Sequence, residues 1–175
     1  MANKEALREL QTRLAERMQV ARNEPAAHAW LAVESAGQGL LLPLEQAGEI
    51  FNAGRILAVP HTRAWFAGVA NLRGGLHGVV DLAVFLGLRA RGAHDHGAEG
   101  ARLVALNPSL GVNSALLVDR LAGLRHASDL AERADEGAQR PGFAGTRWLD
   151  QAGRPWQEIK LAALAADMQF LAIAA

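Results

Sequence analysis

Apolar residues in this chain fall mostly in short runs broken by Gly, Pro and Asn, not in long helical stripes. His28 to Glu34 and Leu40 to Leu44 read as strands around an S-A-G-Q-G turn, with Pro43 at a strand end. Glu49 to Phe51 and Arg55 to Val59 are further short strand candidates. Gly68 to Leu72 and Leu76 to Val80 form a hairpin around Arg73-Gly74-Gly75, because glycine reaches positive φ at little steric cost. Asp81 is placed to cap a short helix, Leu82 to Leu86, stopped by Gly87. Strands resume at Arg102 to Leu106 and Asn113 to Val118, and Asp119 to Leu124 continues extended. Arg147 to Asp150 and Arg154 to Glu158 flank a Gln151-Ala152-Gly153 turn.

Helical spacing appears only at the two ends. Leu7, Leu10, Leu14 and Met18 share one face of a helix over Asn3 to Gln19. Ile159 to Leu171 reads as a closing helix with Leu161, Leu164, Met168 and Leu171 on one face. Two polar stretches, Arg89 to Gly100 and Ser128 to Gly142, read as loops, the second with a short helical turn. The expected organisation is an N-terminal helix over residues 1–24 and one domain over residues 25–175. Two faint echoes suggest that this domain is a duplication. F-A-G with a leucine four residues on occurs at Phe66 to Leu72 and at Phe143 to Leu149. L-L-P-L-E at Leu41 to Glu45 resembles A-L-L-V-D at Ala115 to Asp119. Many short strands punctuated by Gly and Pro predict an all-β fold of two small barrels trimmed with short helices.

Composition narrows the function. Half of the 175 residues are apolar, enough for a real core, and 18 basic residues balance 18 acidic ones. Zero net charge argues against bulk electrostatic binding to nucleic acid or to an anionic membrane, though not against a local patch. The absence of cysteine excludes disulfides and thiolate metal sites. The charged N-terminus is no signal peptide, and no apolar run approaches the roughly 18 residues that span a bilayer. A cytoplasmic protein without membrane insertion is the expectation.

Catalytic chemistry finds little support. There is no G-x-S-x-G, and Ser35, Ser109, Ser114 and Ser128 have no evident histidine neighbour. His94 and His96 could share a metal, but only Glu99 is near as a third ligand, and the flanking Gly and Ala supply no rigid support. Gly74-Gly75-Leu76-His77-Gly78 lacks the helix that a phosphate cradle requires. His77 and Asp81 lie on one face of the second hairpin strand, as an acid–base pair would. Asp81 is better explained as a cap. A small hydrolase or metal enzyme using His77/Asp81 or His94/His96 is therefore the alternative reading. No cofactor is expected. Trp65-Phe66 reads as a core plug. Asn71 and Arg73 stand out as polar groups at the tip of an apolar hairpin. A guanidinium held there suits recognition of a partner's carboxylate.

G-V-A-N-L-R-G at Gly68 to Gly74, followed by G-V-V-D-L at Gly78 to Leu82, resembles the signature of CheW-like domains, the coupling proteins of bacterial chemosensory systems. Gly48-Glu49-Ile50 stands where that family has its V-x-E-I strand, and Leu116 to Leu124 resembles its second-half strand pair. The resemblance covers roughly Trp30 to Leu171. It implies two pseudo-symmetric, intertwined five-stranded SH3-like β-barrels and no enzymatic activity. It also implies two partners, the cytoplasmic tip of a methyl-accepting chemoreceptor and the regulatory domain of a CheA-type histidine kinase, met in a membrane-associated array. Carried over by position, Asn71, Arg73 and Gly74 fall in the coupling hairpin that begins at Gly68. Glu49 falls in a strand linked to the receptor side, and Asp81 matches a structural aspartate. His77-Gly78 replaces the usual V-P or I-P. With R-A-W-F-A-G and the added N-terminal helix, this looks more like the version serving type IV pili and twitching motility.

Overall fold

The computed structural model describes residues 28–90, 100–134 and 140–175. The expected N-terminal helix and the His94/His96 loop lie outside the described residues. The first half holds β1 (Ala29–Ser35), β2 (Gln38–Pro43), β3 (Ala47–Asn52), and a hairpin of β4 (Phe66–Leu72) and β5 (Gly75–Asp81). That hairpin runs into helix α1 (Leu82–Phe85). The second half repeats the order with β6 (Arg102–Leu106), β7 (Ser114–Val118), β8 (Arg120–His126), β10 (Ala144–Asp150) and β11 (Pro155–Ile159). A short β9 (Leu130–Arg133) is inserted, and helices α2 (Leu161–Ala165) and α3 (Met168–Leu171) close the chain.

The strands form two sheets, β8-β1-β2-β11-β10-β9 and β3-β6-β7-β5-β4. Apart from β9 the two correspond strand for strand. β1 and β6 each pair antiparallel with the next strand in sequence, and β2 and β7 each pair parallel with the last strand of the opposite half. Each sheet therefore joins the first two strands of one half of the chain to later strands of the other half. The duplication read from L-L-P-L-E and A-L-L-V-D falls on β2 and β7, and the F-A-G echo falls on β4 and β10.

This exchange explains the continuous apolar runs. Along β1, Leu31 and Val33 face a central core between the sheets, while Trp30 and Ala32 face a second core inside the six-stranded sheet. Along β7, Leu116 and Val118 join the central core, while Ala115 and Leu117 join a third core inside the five-stranded sheet. Both faces are buried, so alternation gives way to unbroken hydrophobicity. Trp65 is the plug expected of it. It lies edge-on to Phe85 at 5.2 Å and parallel to Phe170 at 6.3 Å between ring centroids.

Charged groups lock the junction of the sheets. Arg89 donates to Asp119 at 2.8 Å and to Asp81 at 3.1 Å, with its side chain only 13% exposed. Burial opposes its charge, but Asp119 and Asp81 outweigh that and raise its pKa. Asp119 also accepts from the Ala36 N–H at 2.7 Å. One residue before Ser35, the buried Glu34 accepts from Arg120 at 2.6 and 2.8 Å and pairs with Arg154 at 2.6 Å. The Arg120 hydrogen bonds and the Arg154 contact outweigh burial, holding its carboxyl below the usual range.

Three sequence expectations change. Arg55 to Val59 is not a strand: only Leu57 bridges, to Val69. The segment Ser128 to Gly142 contains β9 besides the expected turn. The closing helix breaks at Ala166-Asp167, where the Asp167 carboxylate accepts from the N–H groups of Gln169 and Phe170 and restarts the chain as α3. The break turns Phe170 inward and leaves Met168 80% exposed, so the expected four-residue face is split.

Candidate functional site

The β4–β5 hairpin is set by its turn. Leu72 pairs with Gly75, so Arg73 and Gly74 alone form the loop. Both have positive φ, +50° and +83°, as a type I′ turn demands. Arg73 adopts this conformation although it carries a Cβ, which is uncommon outside glycine, asparagine and aspartate. Asn71 supports the turn: its Oδ1 accepts from the Gly74 N–H at 2.8 Å. The polar side chain singled out in the sequence thus has a structural task.

Arg73 reaches across the five-stranded sheet. Its Nη1 donates to Glu49 Oε1 of β3 at 2.9 Å, with the side chains 75% and 53% exposed. β3 and β4 are the two edge strands of this sheet. The pair therefore ties one edge to the hairpin of the other, across a groove of about 400 Å³ lined by Glu49, Phe51, Arg55, Asn71 and Arg73. Ile50 on the edge strand β3 and Leu76, next to the turn on β5, are both exposed large apolar residues. Glu49 and Arg73 are 24 positions apart in sequence; their pairing was not legible there.

Gly68 sits on the same edge but does not offer a surface. Its φ is +140°, within a bulge, and a Cβ there would run into the Leu57 carbonyl oxygen. Leu57 and Val69 exchange two backbone hydrogen bonds at 2.8 Å, which presses this loop onto β4. Gly68 makes that approach possible.

Asp81 lies away from the groove. It is buried, caps α1 through Val84 N–H at 3.2 Å, and accepts from Arg89. Its oxygens are committed to those donors. His77 Nδ1 lies 3.1 Å from the Gly75 carbonyl oxygen within its own hairpin. Among the described residues no group of three or more His, Cys, Asp or Glu could hold a metal, and no helix is long and apolar enough to cross a membrane. What the site offers chemically is an exposed guanidinium paired to an exposed carboxylate, with Arg55 beside them and apolar side chains flanking. That combination suits recognition between proteins.

Comparison with known proteins agrees with the two-sheet architecture. A family model described as CheW-like domain matches residues 29–168. Protein PilI of Pseudomonas aeruginosa is 28% identical over 157 residues, spanning 86% of this chain and 84% of its own. The crystal structure of scaffolding protein TtCheW from Thermoanaerobacter tengcongensis superposes with a TM-score of 0.64 at 20% identity. That match covers 79% of this chain and 88% of the other.

Proposed function

We propose that this chain, which belongs to the CheW-like domain family, is a non-enzymatic adaptor that couples a methyl-accepting chemoreceptor to a CheA-type histidine kinase. The observation that carries this reading is the Glu49–Arg73 pair on the seam of the five-stranded sheet, exposed and flanked by apolar residues. Glu49 and Arg73 make the partner contacts; Gly68, Asn71 and Gly74 shape the hairpin that presents Arg73. Asp81 keeps the hairpin's exit fixed through α1 and Arg89. The adaptor is cytoplasmic and is recruited to receptor arrays by these contacts. Similarity to PilI, together with His77-Gly78 and the extra N-terminal segment, supports a role in type IV pilus twitching motility. Residues 25–175 act as one domain of two intertwined units, with residues 1–24 outside it.

The test is reconstitution. Purified chain is mixed with a receptor cytoplasmic fragment and the kinase regulatory domain from the same cell, and the mixture is sized. One ternary complex that forms only when this chain is added is the expected result. A chain that binds neither fragment would refute the adaptor reading.

A further inference from the structure

The two sheets correspond except at one edge. β9 has no counterpart in the five-stranded sheet, so the feature it builds belongs to one half alone. Its last residue, Arg133, stands directly opposite Arg147 of β10. Like charges in that position are destabilising, and an acid in either place would be favourable. A charge on an exposed edge strand protects against aggregation. That explains Arg133 alone but not a second cation facing it from β10, an interior strand of the sheet.

The Arg133 side chain has no ion-pair or hydrogen-bond partner among the described residues. Arg147 uses only its Nε, 3.2 Å from Gln157 Oε1. Beside them Arg154, paired to Glu34, lies over the Trp156 ring at 4.7 Å from its centroid. These three arginines line a cleft of about 520 Å³ whose described lining contains no acid. An adjoining depression of about 260 Å³ shares Arg133 and Arg147, adds Arg140 and Lys160, and has Glu132 as the one acid of its described lining. On a chain of zero net charge, this is a local concentration of cations.

We propose that the Arg133–Arg147–Arg154 cleft docks a carboxylate-rich, extended segment of a partner protein. A carboxylate between Arg133 and Arg147 accepts from both guanidiniums and removes their repulsion. Among the described strands β9 pairs only with β10, so its outer backbone edge offers hydrogen-bonding groups to such a segment. Carboxylates at alternate positions of an added strand would then face the cleft side. The surface is separate from the Glu49–Arg73 groove, and neither proposal depends on the other.

The full chain is titrated into fluorescein-labelled hexaglutamate, read by anisotropy, at low and moderate salt. Binding that weakens with salt, and falls about tenfold or more in Arg133→Glu/Arg147→Glu while Arg63→Glu binds as wild type, is the expected result. Arg133→Glu alone converts the repulsive pair into an attractive one, so it raises the unfolding midpoint while weakening peptide binding. Wild-type affinity in the double variant overturns the proposal. So does displacement of the peptide by inorganic phosphate but not by unlabelled hexaglutamate.

Discussion

Reversing the charges of the Glu49–Arg73 pair separates its structural from its docking role. The two side chains meet at 2.9 Å, but 75% and 53% of their surfaces face water. Exposed pairs of this kind contribute about 0–1 kcal/mol. Arg73→Glu removes that attraction and adds a repulsion of similar size, so the fold loses roughly 1 kcal/mol. For a chain of this length the unfolding midpoint falls by about 2–4 °C. The double reversal Glu49→Arg/Arg73→Glu restores the pair and returns the midpoint to within about a degree of wild type. Partner binding behaves differently. A central guanidinium lost from a desolvated contact with a carboxylate costs about 2–5 kcal/mol, which is at least roughly 30-fold in affinity. The kinase regulatory domain and the receptor fragment are therefore titrated against wild type, both single variants and the double reversal, alongside thermal unfolding. The expected pattern is binding lost in Arg73→Glu and not regained in the double reversal, although stability is. If the double reversal regains both together, the pair only holds the hairpin in place, and Arg73 does not touch a partner.

The remaining predictions concern the scaffold behind the hairpin. Gly68→Ala forces a Cβ toward the Leu57 carbonyl at a backbone angle that side chains rarely adopt, so it costs about 3 kcal/mol or more, measurable by urea unfolding. A loss below about 1 kcal/mol would mean that the loop shifts freely. Arg89→Met leaves Asp81 and Asp119 facing each other without their shared cation and costs about 3–5 kcal/mol in the same assay. Glu34 has a folded pKa below its unfolded value of about 4.3. Its contribution is therefore complete above the unfolded value and lost as pH falls through the folded one. In Glu34→Gln the fall of stability below about pH 4 is shallower than in wild type, as read by unfolding at a series of pH values.

Much of the fold was legible because its strands are buried on both faces, which leaves runs such as Leu40-Leu41-Leu42 that turn residues delimit. β6 was read at its observed bounds for this reason. β9 was not, because Leu-Ala-Glu-Arg is short and mostly exposed, and its pairing with β10 is a long-range choice. Arg55 to Val59 was over-read, since its apolar residues meet β4 through one bridge beside the Gly68 bulge. The end of the chain was read as one helix because Leu161 and Leu171 keep helical spacing, but the Asp167 cap takes precedence over that periodicity. At the candidate site, local signals gave the turn, the α1 cap and the prominence of Arg73. They assigned Asn71 to contact and did not show that its side chain also braces the turn. No local signal could bring Glu49 to Arg73, since only the order of the sheet does so.

The exchange of strands between the two sheets also dictates a timetable. The β1–β2 hairpin leaves the ribosome first, but its parallel neighbour β11 is among the last strands made. At usual elongation rates the wait is on the order of ten seconds. Throughout it, Leu41, almost wholly enclosed in the finished protein, lacks the Trp156 of β11 that packs in its core. The β3–β7 sheet is contiguous in the chain and can close while synthesis continues. One face of the β1–β2 hairpin thus stays uncovered until the end of the second half has been made.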